Sequence, residues 1–136
     1  MELFSDNLEF EVSEPADNAQ VVFSTRRLLA DMGFDETRQY LIASAVSELS
    51  TNIIRYAGRG TVTLTCLENA GTVGVEVIAL DQGPGIEDLD RAMTENVSTG
   101  NGLGLGLPSV KRIMDEFDIR SAPGEGTRIR AVKWMK

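Results

Sequence analysis

Glu48 and Asn52 stand four residues apart in Ser47-Glu48-Leu49-Ser50-Thr51-Asn52-Ile53, with Arg55 following. On a helix that spacing points both side chains the same way. Such residues commonly form a solvated polar flank with a Glu–Arg pair. They also suit a site in which the Asn52 carbonyl oxygen faces a hard cation while Glu48 accepts a proton or orients a nucleophile. Asp81 closes an apolar run, where a carboxylate is costly without partners. Gly83-Pro84-Gly85-Ile86 follows it, a rigid turn that allows close approach of backbone. That is compatible with an ordinary strand end, and with a carboxylate accepting a hydrogen bond from an exocyclic amine while a flat base lies against the glycines and Ile86. From Gly100 to Gly106 a glycine occupies every second position, and the run enters a helix-like segment. Unpaired N–H groups at a helix start attract anions. Pro108 fits its first turn, where no N–H partner is lost.

Several familiar phosphate sites are excluded. The chain has no Gly-x-x-x-x-Gly-Lys-Ser/Thr, and the glycine spacing does not give Gly-x-Gly-x-x-Gly. Histidine is absent, which removes His bases, His metal ligands and a phospho-accepting His. The single Cys66 rules out an internal disulfide; its alternating surroundings make it a packed thiol. A net charge of −8 argues against nucleic acid or an anionic membrane as the main partner, because both are bound through Lys/Arg fields. No signal peptide and no membrane-length apolar run is recognisable, so a cytoplasmic location is expected.

The elements that must hold these residues can be read from periodicity. At 136 residues, with 42% hydrophobic content, the chain forms one domain spanning 1–136 with a real core. Leu8–Val12 alternates as a short strand, and a helix runs from about Pro15 to Met32, capped by Ser13 or Asp17 and stopped at Gly33. Asp35 caps a second helix to about Tyr56, with Ile42, Val46, Leu49 and Ile53 as its buried stripe. Strands follow at Thr61–Leu67 and Val73–Leu80, then a short helix near Leu89–Thr94. Leu103, Leu107, Val110 and Met114 stripe a further helix, and strands at Asp118–Ser121 and Thr127–Trp134 close the chain. Hairpins rather than β-α-β units indicate an α+β two-layer sandwich: a mixed, mostly antiparallel sheet covered by helices on one face. Trp134 is expected to pack at a core or sheet edge.

The ordered set resembles the Bergerat-fold (GHKL) ATPases, the family of gyrase B, MutL and histidine-kinase catalytic domains. Glu48…Asn52 matches their N box, Asp81-Gln82-Gly83-Pro84-Gly85 the first glycine box, Gly102-Leu103-Gly104-Leu105-Gly106 the second, and Gly126-Thr127 the late Gly-Thr. The resemblance implies ATP and Mg²⁺ as cofactors. Asn52 would hold the Mg²⁺ and Glu48 would be the general base. Asp81 would read the adenine amine with Thr127 nearby and Gly83, Gly85 and Ile86 against the base. Gly102, Leu103, Gly104, Leu105 and Gly106 would line the triphosphate under a short lid over 97–101. Arg55 would contact phosphate or the pocket edge.

The chain lacks the phosphoacceptor helices of a histidine kinase and the transducer domain of the larger machines. The strings around the boxes, with Val110-Lys111-Arg112-Ile113-Met114-Asp115-Glu116-Phe117, resemble the stressosome switch kinases, which regulate sigma factors. That narrower resemblance implies phosphorylation of STAS-domain proteins of the stressosome on Ser/Thr. Release and activation of a downstream phosphatase-type regulator by binding would follow, and a homodimer is possible. An anti-sigma factor that sequesters a sigma subunit in an ATP-dependent way is the alternative. An ATP-binding domain without transfer activity is a third.

Overall fold

The computed structural model describes residues 7–86, Met93 and 106–136. The element order is β1 (Asn7–Val12), α1 (Pro15–Met32), α2 (Glu36–Tyr56), β2 (Gly60–Asn69), β3 (Thr72–Asp81), α3 (Gly106–Ile113), β4 (Glu116–Ser121) and β5 (Thr127–Trp134). The five strands form one sheet in the order β1-β2-β3-β5-β4, and each described pairing is antiparallel. Among the described residues the sheet is therefore antiparallel throughout rather than mixed. Among the described residues, α3 stands between β3 and β4 in the chain, and β4 lies outside β5 at the sheet edge.

Alternation along the strands creates the two layers. Val75, Val77 and Ala79 of β3 and Ile129 and Ala131 of β5 are buried on one face, against Leu29 of α1, Ile42, Val46, Leu49 and Ile53 of α2, and Leu107 and Val110 of α3. The opposite face carries polar and charged rows. There Arg130 Nε bonds Glu76 Oε2 at 2.6 Å, and Trp134 Nε1 donates to Glu116 Oε2 at 2.7 Å. Trp134 thus sits on the sheet's polar face at its end, half-buried over Gly74, where its ring takes the place a side chain would occupy.

Helix starts follow from capping chemistry. Asp35 caps α2 through Arg38 N–H at 2.8 Å, as expected. At α1 the cap is Glu14, not Ser13 or Asp17. Asp17 lies one turn inside, and its carboxylate accepts from Ser13 N–H at 2.9 Å and Glu14 N–H at 3.1 Å. Reaching back to two free amides serves the helix start as well as a cap side chain would. Strands β2 and β3 run to Asn69 and from Thr72, longer than the apolar pattern alone, because the pairing continues to a two-residue turn at Ala70-Gly71 with φ of 52° and 86°. Likewise β4 begins at Glu116 rather than Asp118, carried by its ladder to β5. Cys66 is half-buried against Met32 Sδ at 3.5 Å, and burial pushes its thiol pKa up, as befits a packing role. Among the described residues no helix is long and apolar enough to cross a membrane.

Candidate nucleotide site

Asp81 ends β3 and Thr127 begins β5, and the register pairs them directly. The next pairing sets Thr127 opposite Ser121 of β4. Asp81, Thr127 and Ser121 therefore form one row across three strands, on the face that carries the helices. Asp81 and Thr127 are among the few buried polar residues, at 8% and 7% exposure. One oxygen of Asp81, Oδ1, accepts from Gly83 N–H at 2.8 Å, which folds the first glycine box back on the carboxylate and leaves the second oxygen available as an acceptor. A side chain at Gly83 would collide with Ala57 at the end of α2, so the turn lies directly against that helix. Gly126, at φ 78°, lies against the Asp81 carbonyl oxygen so closely that a Cβ there would overlap it. Only glycine satisfies both the conformation and the contact.

Sequence reasoning did not single out Ser121, yet it ties the pocket together. Its Oγ accepts from Ile86 N–H at 2.7 Å, donates to Gly126 carbonyl oxygen at 3.0 Å, and lies 2.8 Å from Thr127 Oγ1. Gly124 N–H donates to Pro84 carbonyl oxygen at 2.6 Å. The first glycine box and the β4–β5 turn are thereby laced into one unit, with Ile86 and Gly85 inside it. A cavity of about 370 Å³ opens beside these strand ends, with Asp81, Gln82, Ser121 and Thr127 in its lining together with Leu80 and Arg128 from the polar face.

On α2, Ser47 accepts a hydrogen bond from Asn18 of α1 at 3.2 Å, and Ala43 on the same flank is buried. Glu48 and Asn52 fall on the other flank, about 40° apart around the helix by its 3.6-residue turn. Both are half-buried beside Leu49 and Ile53. That flank faces away from α1, and α2 also packs on α3, the helix that follows the glycine run. Arg55 is exposed in the last turn of α2, its guanidinium 5.9 Å from the Tyr56 ring centroid. No ion pair joins it to Glu48 among the described residues. Of the second glycine box, Gly102, Leu103, Gly104 and Leu105 lie outside the described residues, as does the lid expected over 97–101. Gly106 starts α3 at φ 55°, and its carbonyl oxygen accepts from Ser109 Oγ at 3.2 Å.

A family model described as a histidine kinase-like ATPase domain matches residues 12–133. The chain belongs to that family. It is 46% identical over 111 residues to the serine/threonine-protein kinase RsbT of Bacillus subtilis, covering 82% of this chain and 84% of that one. It is 34% identical over 100 residues to the anti-sigma F factor of a Thermoanaerobacter species, covering 69% and 68% respectively. Two solved structures share the fold: the RsbU and RsbW domains of a Mycobacterium tuberculosis protein, with a TM-score of 0.63 at 20% identity over 95% of this chain and 32% of that one, and a chain of the SiaB–SiaC complex of Pseudomonas aeruginosa, with a TM-score of 0.58 at 16% identity over 94% and 89%. A histidine kinase-like ATPase domain with the α+β sandwich of those structures implies use of ATP.

The donor set suits that ligand. Asp81 and Thr127 present acceptor oxygens in a largely buried row, which fits an amino-substituted base. Among the described residues no three His, Cys, Asp or Glu side chains group to hold a metal by themselves. One amide oxygen, from Asn52, suits Mg²⁺, which is usually held by one or two protein oxygens with phosphates and water completing its shell.

Proposed function

We propose that this chain is an ATP- and Mg²⁺-dependent protein serine/threonine kinase whose acceptors are STAS-domain proteins of the stressosome. Once released from them, it activates a downstream phosphatase-type regulator by binding. The observation that carries the reading is the pairing of two half-sites on one side of the sheet. Asp81 and Thr127 form a buried acceptor row, and Glu48 and Asn52 share the flank of α2 turned away from α1. The 46% identity to RsbT supports the acceptor class, since that relative is a serine/threonine-protein kinase.

In this reading Asp81 and Thr127 would hold the base with Gly83, Gly85 and Ile86 against it, and Asn52 would hold the cation, whose chemistry there would be charge neutralisation at the phosphates. The glycines from Gly102 to Gly106 would line the triphosphate, and main-chain N–H groups would let an acidic chain accommodate a polyanion without a field of lysines. Glu48 takes the proton from the acceptor hydroxyl as that oxygen forms its bond to the γ-phosphorus. The bond from the γ-phosphorus to the bridging oxygen breaks, and ADP leaves with the electron pair. Arg55, exposed at the end of α2, is available to the phosphates or to an acidic partner.

Incubation of the purified chain with γ-labelled ATP and a STAS domain from the same organism tests the reading. Label on a Ser or Thr of the STAS protein is expected, and its absence at saturating ATP rejects the kinase assignment. Identity to the anti-sigma F factors favours a second reading, in which ATP shapes a surface that sequesters a sigma subunit. Recovery of a sigma factor rather than a STAS protein in a pull-down selects it.

A further inference from the structure

The three-strand row Asp81–Thr127–Ser121 contains more hydroxyl chemistry than holding a nucleotide requires. A serine hydroxyl has one proton to donate and two lone pairs to accept with. Ser121 Oγ must accept from Ile86, because a backbone N–H can only donate, at 2.7 Å. It must donate to Gly126, because a carbonyl oxygen can only accept, at 3.0 Å. Distance alone lets either hydroxyl donate across the 2.8 Å contact with Thr127 Oγ1; with the serine's single proton on Gly126, the threonine's proton makes it. Thr127 in turn has spent its only proton on Ser121. Towards the pocket it presents lone pairs alone. Asp81, paired with it in the register, likewise presents only an acceptor once Oδ1 has taken the Gly83 N–H.

We propose that Ser121 is the residue that sets base specificity, by fixing the polarity of Thr127. With two neighbouring acceptors and no donor, the row matches a 6-amino purine, whose exocyclic group carries two N–H donors. It disfavours a 6-oxo purine, whose carbonyl oxygen meets lone pairs and a carboxylate. Ser121 does not touch the base; it is a positioning residue. Discrimination between adenine and the 6-oxo bases is built into a hydroxyl chain rather than into steric exclusion. The inference rests on the nucleotide reading of the site and adds to it the origin of its selectivity.

Titration calorimetry with ATP and inosine triphosphate, on the full chain with Mg²⁺, tests this. Inosine replaces the 6-amino group by a carbonyl and turns N1 from an acceptor into an N–H donor without adding a 2-amino group, so the ratio of the two dissociation constants reads the polarity of this edge, and its change on altering Ser121 reads the proposed contact. Wild type is expected to favour ATP by about tenfold or more, the value of one well-made against one mismatched hydrogen bond. Ser121→Ala frees the Thr127 proton to turn towards a carbonyl, and the ratio is expected to narrow several-fold, to the share that the Asp81 carboxylate alone supports; Ser121→Thr, which keeps the hydroxyl, restores it. In a Thr127→Val background the removal of Ser121 should leave the ratio unchanged, because the group it polarises is gone. Parallel weakening of both nucleotides in Ser121→Ala, or a ratio change that persists in Thr127→Val, overturns the proposal. Should Ser121→Ala fail to fold, Thr127→Ser against Thr127→Val decides: the serine keeps the ratio and the valine narrows it, and an unaltered ratio in the valine variant overturns the proposal. Failure of wild type to bind ATP at all would instead reject the nucleotide reading beneath it.

Discussion

Replacing Asp81 by Asn separates two jobs that the proposed function gives to one carboxylate. The side chain is 8% exposed and its Oδ1 accepts from Gly83 N–H at 2.8 Å. An amide oxygen can keep that bond, so Asp81→Asn should leave the first glycine box folded. The second carboxylate oxygen becomes an NH₂, however, and a donor then confronts the donor of the base amine. Losing a hydrogen bond to a charged acceptor is worth about 1.5–3 kcal/mol, or roughly 10- to 150-fold in affinity for ATP. Asp81→Ala removes both functions. It should cost a further 1–3 kcal/mol, roughly, in folding stability, because the Gly83 N–H is left without its acceptor. Calorimetric titration with ATP and urea unfolding of the two variants read the two effects independently. The expected pattern is weak binding with near wild-type stability for the asparagine variant, and loss of both for the alanine variant. ATP binding by Asp81→Asn equal to wild type would refute the assignment of this carboxylate to the base. Equal destabilisation by both variants would refute the role given to Oδ1.

Other outcomes follow from the same structure. Gly126→Ala forces a side chain into the left-handed region and against the Asp81 carbonyl oxygen, so a stability loss of at least about 1 kcal/mol should appear in urea unfolding, with weakened ATP binding as the β3 end shifts. Leu49→Ala empties a fully buried position between Glu48 and Asn52, and an unfolding loss of about 2–5 kcal/mol is expected. Asp35 is held below the ordinary aspartate pKa by Arg38, first through its backbone N–H and then its side chain. A depressed carboxylate contributes stability above its unfolded pKa and loses it as pH falls through the folded one. Asp35→Ala should therefore be less stable than wild type at neutral pH, with the difference shrinking on acidification, as thermal melts across that range would show.

Much of this site is legible in the sequence because its signals are local. Glu48 and Asn52 are placed together by helical spacing alone, and Asp81 is marked by its position after an apolar strand and before glycines that the Ala57 and Ala122 contacts require. The buried stripe of α2 likewise follows from its period. What the sequence hid is what depends on strand pairing. Ser121 is an ordinary serine at the end of a short strand, and only the register that sets it opposite Thr127 and near Ile86 shows its purpose. A Ser-turn-Gly-Thr arrangement spanning the last hairpin was the available signal. The α1 cap misled for a physical reason: Glu14 takes the cap position while Asp17 supplies the acceptor from inside the helix, so the side chain with the best chemistry is not at the boundary. The absence of a Glu48–Arg55 pair was also invisible, since spacing permits the pair and only side-chain placement denies it.

The central claim is that Glu48 accepts the proton of a protein hydroxyl while other residues hold the nucleotide. The most direct measurement is the single-turnover rate of phosphate transfer from ATP to a STAS domain by Glu48→Gln, set beside its affinity for ATP. The glutamine retains the shape of the helix flank but cannot serve as a base. ATP binding close to wild type is expected, with transfer slowed by about 10²–10⁴-fold. Transfer at the wild-type rate, with phosphate on the same acceptor residue, would contradict it.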